Sequence, residues 1–376
     1  VVVDAQPEGV EGVGFLVTAD GVKIRCLTIR HGSDGIQAGT RDEQTGDILT
    51  TEDNLRLSKI IVEGSNDDNV NVIGDGFQIR RAQLVSSDDN AVDVEGNGAR
   101  VEQIIARGHD NSCVLIRGDD AVVEGSRFER CEDTDGIRLD DSDDARISGN
   151  TIRFSDGGIS VRESAAPQVT GNTVRGAGDN SIEVDCAARC EDGLVRNNTA
   201  TGASDDADGF DISSDDAGLL IQNNTALDNI QTGFDLDTDG AIIRGNTAER
   251  NGSEGQGEGG FDISGDDNLI EDNRANRNKR DGFRLSREFE NGDEGSDNNV
   301  FRGNSARANS KDGFDIEAGA DTDGDDQIDV PSIDNRLIKN VATNNRAEGI
   351  ENNGEDTDVI RNQASGNRID CANDGT

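Results

Sequence analysis

Tryptophan, tyrosine and methionine are absent from this chain, and its 376 residues hold three prolines and two histidines. Hydrophobic residues make up 32% of it, too few for a large globular core. Low hydrophobicity with high charge is also the signature of disorder, so only a regular pattern argues for a fold. The two histidines, His31 and His109, stand far apart, which argues against a His-centred triad or metal trio. No long apolar run exists, so no segment reads as a membrane-spanning helix. The cysteines, at 26, 113, 131, 186, 190 and 371, lack the paired CxxC or CxxH units of a zinc site. Cys186 and Cys190 have the spacing of a small disulfide loop, and an extracellular setting is expected. GSEGQGEGG, at 252–260, follows no strand-to-helix pattern and is not a phosphate loop.

Charge is abundant and of one sign. The chain carries 78 acidic against 36 basic residues, a formal net charge of −42, and just 5 of the bases are lysine. Nucleic acid and anionic membrane surfaces are poor partners for it. An acidic, lysine-poor surface resembles the proteins of salt-loving archaea, and concentrated salt would screen the self-repulsion. The chain opens on VVVD, already strand-like and with no initiator methionine or signal peptide, and reads as a processed or excised segment.

The pattern is a repeat. GFDISSDD at 209 returns as GFDLDTDG at 233, GFDISGDD at 260, GFRLS at 282 and GFDIEAGAD at 313. Aligned strands start at 14, 35, 69, 91, 113, 136, 158, 181, 209, 233, 260, 282, 313 and 349, most often 22 or 23 residues apart. In 241–263 three strand signals occur, AIIR, TAE and GFDI, with no helical period. The expectation is an all-β, single-stranded right-handed parallel β-helix of about 14 coils with three short parallel sheets, forming one domain over 1–376. Insertions fall at 38–53, 185–192, 251–259, 286–298 and 317–335.

Inward columns follow from the alternation. One runs Ile147, Val169, Val195, Ile221, Ile243, Ile270, Phe301. A second changes from Ile29, Val62, Leu84, Ala106, Phe128, Ile152 and Val174 to an all-alanine series from Ala200 to Ala364. The third moves the other way, from Val70, Val92, Val114, Ile137, Ile159 and Ile182 to Phe210, Phe234, Phe261, Phe283 and Phe314. Where one wall gains a ring the facing wall shrinks to a methyl, which keeps core volume level. Two asparagine columns, Asn150 to Asn362 and Asn229 to Asn367, are expected to form hydrogen-bonded ladders. Sequons occur at 197, 223 and 251, with Asn251 also a ladder residue.

The pattern NNTAxxNxxxGFDI resembles the parallel β-helix repeat of the pectate-lyase-like superfamily, from about Gly14 to Asn367. That resemblance implies polysaccharide lyases, uronate epimerases, glycoside hydrolases, tailspikes or adhesins as functional company. The Asp-Pro-His motif of uronate epimerases and the paired-acid and Gly-His-Gly motifs of polygalacturonases are absent. The resemblance further implies calcium-binding acids and a catalytic Arg or Lys on the GFDI face. Asp235, Asp262, Arg284 and Asp315 are the residues placed to carry such chemistry, with calcium neutralising a uronate and Arg284 near the abstracted proton.

From the residues themselves, the outward row runs Gln37, Asn71, Asp93, Leu115, Arg138, Ser160, Glu183, Asp211, Asp235, Asp262, Arg284, Asp315, Glu351. A solvated acidic face is the competing reading. A second calcium candidate is DTDGDDQID, where Asp321, Asp323, Asp325 and Asp329, with the Gln327 carbonyl, match an EF-hand-like loop. Asp326 replaces its turn glycine and Ser332 its bidentate Glu. The leading expectation is a secreted or cell-surface, calcium-stabilised scaffold, adhesion or polysaccharide-binding module. The alternatives are a calcium-dependent polysaccharide lyase or related carbohydrate-active enzyme, and a structural repeat of a surface filament, self-associating through solenoid ends.

Overall fold

The structure is a computed structural model that describes residues 1–5, 12–42, 45–186, 190–204, 207–214, 217–253, 259–286, 296–317, 319–320 and 330–373. The elements among these residues are strands, 2 to 6 residues long, wound as a parallel β-helix. No helix is long and apolar enough to cross a membrane. The chain forms two compact units, 1–178 and 179–376.

Each coil carries three strands, and each strand joins one of three sheets. In the coil around 241–263 the first-sheet strand is Ile242–Arg244, the second Thr247–Glu249 and the third Gly259–Ser264. Within each unit the strands of these three sheets pair in parallel with their counterparts one coil away. Ile243 stands on Ile270, Ala248 on Ala275 and Phe234 on Phe261, as the aligned repeats require. The third sheet continues one strand past the last repeat legible in the sequence, to Ile369–Asn373. Two insertions form short antiparallel pairs, Thr40–Arg41 with Ile48–Thr50 and Gly319–Ala320 with Val330–Pro331.

Three local devices hold the coil. The residue before each ladder asparagine adopts a left-handed backbone, with φ of 63° at Gly149, 66° at Gly245 and 56° at Asn223, which favours Gly and Asn there. The glycine of GFDI is needed for close approach. A Cβ on Gly233 would meet the Gly260 carbonyl oxygen and the Asn251 amide nitrogen, each at 2.7 Å. The phenylalanines behind it stack. Phe210, Phe234, Phe261 and Phe283 lie with ring centroids 4.6 to 4.7 Å apart and nearly parallel planes. Phe301, from the first-sheet wall, meets Phe283 edge-on at 6.5 Å. The facing alanines from Ala200 to Ala342 are buried, which is the volume exchange expected; Ala364, in the last coil, is half-buried.

Both asparagine ladders form. Asn246 is fully buried; its Nδ2 donates to the Ile221 carbonyl at 2.8 Å, and the Asn273 Oδ1 accepts from both its backbone N–H and its Nδ2. Asn251 repeats this with Ala226 and Asn278, so its sequon lies inside the folded coil and is closed to glycosylation. The Cys186–Cys190 disulfide is present, and a second, Cys113–Cys131, joins neighbouring coils of the first unit.

Phe234→Ala should cost about 3–5 kcal/mol and Asn273→Ala about 1–3 kcal/mol, the latter because two buried donors of Asn246 lose their acceptor. Urea midpoints of the two variants against the parent chain measure both. A smaller loss for Phe234→Ala than for a surface variant would refute the stacked core.

Candidate functional site

On the third sheet the residue between two buried positions faces outward. In the second unit the register pairs Glu183, Asp211, Asp235, Asp262, Arg284, Asp315 and Glu351 in one continuous row. Carboxylates repeated at the ~4.8 Å strand spacing disfavour one another's charge. Asp211 is pushed up to about 6 by burial and by Glu183. Asp235 is raised well above the usual carboxylate range by burial and by Asp262. Arg284 interrupts the row, with Nη1 3.6 Å from Asp262 and Nε donating to Glu317 at 2.9 Å. Asp235, Asp262 and Arg284 are thus on consecutive coils. Asp315 follows in register but pairs with the Lys311 ammonium at 3.0 Å rather than with Arg284.

A second acidic column was missed in the sequence. It is the residue before the GFDI glycine, acidic at Asp208, Asp281, Asp312 and Glu348 in the second unit and interrupted by Thr232 and Gly259. Its carboxylates cap the next coil. Asp208 Oδ1 accepts from the Thr232 N–H at 2.6 Å, Asp281 Oδ1 from Asp312 N–H at 2.8 Å, and Asp312 Oδ1 from Glu348 N–H. The recurring triplet DGF at 208, 281 and 312 was the available signal. Lys311 was also missed; its Nζ lies 3.1 Å from Asp281 and 3.7 Å from Asp312. Burial opposes its charge, but Asp281 and Asp315 more than offset this and raise its pKa. Lys311 is a fixed cation and not a base.

These two columns meet in two clusters whose ligand atoms lie within 4.8 Å of one another, Asp281–Asp312–Asp315 and Asp312–Glu348–Glu351. Lys311 serves the first. In the second, Asp312 is 1% exposed; its Oδ2 accepts no hydrogen bond and has the Lys311 ammonium at 3.7 Å. An all-oxygen donor set with an unsatisfied buried carboxylate oxygen fits a hard divalent cation such as calcium. The EF-hand-like residues Asp321, Asp323, Asp325, Gln327 and Asp329 lie outside the described residues. Ser332, standing where that loop needs its bidentate acid, is buried and its Oγ accepts from the Ser296 N–H at 3.2 Å.

In the first unit the same face holds a cleft of about 480 Å³ walled by the hairpin of the 38–53 insertion. Arg41 from that hairpin pairs with Glu95, and Arg117 with Asp93 at 3.1 Å. Asp68 lines the cleft; burial and then Asp93 push it to about 9, while burial and Asp67 push Asp34 to about 7. His109 is a core residue: fully buried, bonded to Ser87 Oγ at 2.6 Å, and held neutral by burial with its pKa lowered to about 4.

Residues 12–200 and 187–369 match the family described as right handed beta helix region. Among curated proteins none matches this chain. Among solved structures, the chain is similar to the periplasmic alginate epimerase AlgG, at 16% identity over 92% of this chain and 76% of that one, with a TM-score of 0.43. It is similar to the A-module of the Azotobacter vinelandii mannuronan C-5 epimerase AlgE6, at 14% identity, 94% and 91% coverage and a TM-score of 0.48. The alginate lyase AlyF-OU02 in complex with G6 gives 13%, 97% and 84%, and 0.48. These are likenesses of fold.

The raised carboxyls set a pH dependence. Asp34 and Asp208 at about 7 and Asp68 at about 9 hold protons in the fold that an unfolded chain, at 3.8, has released. The folded state therefore binds more protons between pH 4 and 7, and stability must fall as pH rises through that window. In chelator and at constant salt, the Tm should be higher at pH 5 than at pH 8. A Tm that rises with pH would show that these groups are ionised in the fold.

Proposed function

The chain belongs to the right-handed β-helix family, and on that premise we propose that it is a secreted, calcium-dependent protein that acts on an acidic, uronate-containing polysaccharide. The observation that carries this reading is the outward row of the third sheet, where Asp235, Asp262 and Arg284 stand in register on consecutive coils, with the Asp312–Glu348–Glu351 cluster further along the same sheet. Calcium held by Asp312, Glu348 and Glu351, several coils along the row from Asp235 and Asp262, would anchor the carboxylate of another sugar of the same polymer. Asp235, raised by burial and Asp262, is suited to donate a proton to the leaving glycosidic oxygen. Arg284 stays charged and is held by Asp262 and Glu317, which orients it toward negative charge developing on the sugar. In elimination the ring proton passes to the Asp262 carboxylate, its electron pair forms the ring double bond, and the glycosidic oxygen leaves with the proton held by Asp235. The two disulfides support an extracellular or cell-surface location.

A second reading is a calcium-stabilised scaffold or glycan-binding module. The observation that favours it is that Arg284 and Lys311 are both engaged by protein carboxylates.

A polyuronate panel, assayed in high salt with calcium or chelator, separates the two through the unsaturated-uronate absorbance. The lyase reading expects a calcium-dependent signal that falls at least 100-fold in Arg284→Ala and in Asp235→Asn, with the Tm of each variant within a few degrees of the parent's. No signal on any polymer, with calcium still raising the Tm, would reject the enzyme and leave the scaffold.

A further inference from the structure

Against a net charge of −42, the first sheet of the first unit carries a strip of cations. Its strands Lys23–Arg25, Arg56–Ser58, Gln78–Arg80 and Arg100–Glu102 stack in register, Lys23 on Arg56 and Gln78 on Arg100. Lys23, Arg25, Arg56, Arg80 and Arg100 are all exposed on the outer face. The turn that follows adds Lys59 and Arg81, also exposed and left-handed, with φ of 54° and 53°, on successive coils.

The chain has more than twice as many acids as bases, yet none of these seven cations forms an ion pair with a described carboxylate. Arg30, Arg41 and Arg117, which flank them in sequence, all do. The neighbouring acids are occupied elsewhere: Asp20, Asp53 and Asp75 each accept the backbone N–H of the next coil. Glu102, in register with Arg80, borders the strip without closing it. Two hollows open in the strip. One of about 150 Å³ is lined by Arg25, Arg56 and Arg80 with Leu57, Ser58 and Gln78. The other, about 270 Å³, is lined by Arg25, Lys59, Arg80 and Arg81 with Cys26 and Ser58.

Seven uncompensated cations in an acidic chain cost stability through mutual repulsion and are explained by an anionic ligand. They span four coils, roughly 14 Å at the strand spacing, which exceeds a single small anion. Repeating rows of charge match a polymer with repeating charge. Single-stranded nucleic acid would want aromatic platforms, and the strip has none. We infer that this strip is a binding track for a linear acidic polysaccharide, on a different sheet from the proposed active row. It deepens the proposed function by giving the same class of substrate a second contact, and it does not require turnover.

The test is fluorescence anisotropy of a labelled oligogalacturonate with the full chain in chelator, across a salt series. Binding should weaken steeply with salt. The triple variant Arg25→Gln/Arg56→Gln/Arg80→Gln should lose at least tenfold in affinity and show a flatter salt dependence, whereas Arg146→Gln on the same sheet should bind as the parent does. Because these side chains are exposed and repel one another, a Tm no lower than the parent's confirms that the variant is folded. Equal binding by parent and triple variant overturns the track. So does tighter binding of an oligothymidylate of equal charge, or a concentration-dependent self-association that the triple variant abolishes while the parent ignores the oligogalacturonate. Loss of turnover in the panel assay with binding intact would sink the enzyme reading alone.

Discussion

In a parallel β-helix every side chain stands on its own counterpart one coil away, at the spacing of hydrogen-bonded strands. That constraint decides which residues the sequence can repeat. A phenylalanine on a phenylalanine stacks face to face, so the column from Phe210 to Phe314 is self-supporting. An asparagine on an asparagine is better still, because each amide has both a donor and an acceptor to pass along the ladder. Gly233 and its equivalents exist because the next backbone comes too close for a Cβ.

Carboxylates obey the same geometry and suffer from it. An acid on an acid offers two acceptors and two charges, with no donor between them. Three solutions coexist in this chain. Backbone N–H groups of the next coil are capped by Asp208, Asp281 and Asp312. Arg284 and Lys311 are set among the acids as fixed cations. Where neither reaches, burial and the neighbouring acid raise the carboxyl so that it holds its proton, as at Asp235. The Asp312 Oδ2, buried and without a hydrogen bond, has only the Lys311 ammonium near it, at 3.7 Å, and lies in a cluster of acids able to take a divalent cation.

Cations are distributed by the opposite logic. Arg117 and Arg284 on the third sheet are tied to acids, while on the first sheet of the first unit Lys23 stands on Arg56, and Arg25, Arg80 and Arg100 gather beside them without an ion pair to a described carboxylate. Stacking makes such a strip repulsive within itself. The same register that makes an acid row attract a cation makes a basic row attract a polyanion.

The sequence alone determined the fold, the three inward columns and both ladders, because stacking forces like residues to recur at one period and recurrence is visible in one dimension. It also placed Asp235, Asp262, Arg284 and Asp315 on one outward row, since alternation along a strand fixes which side chains face out. Only the tertiary structure decided their partners. That Arg284 reaches Glu317, that Lys311 bridges Asp281 and Asp315, and that Cys113 meets Cys131 depend on side-chain reach across coils of unequal length. The basic strip escaped the sequence for a related reason. Its residues are scattered from Lys23 to Arg100 among many acids, and only the coil register brings them to one face.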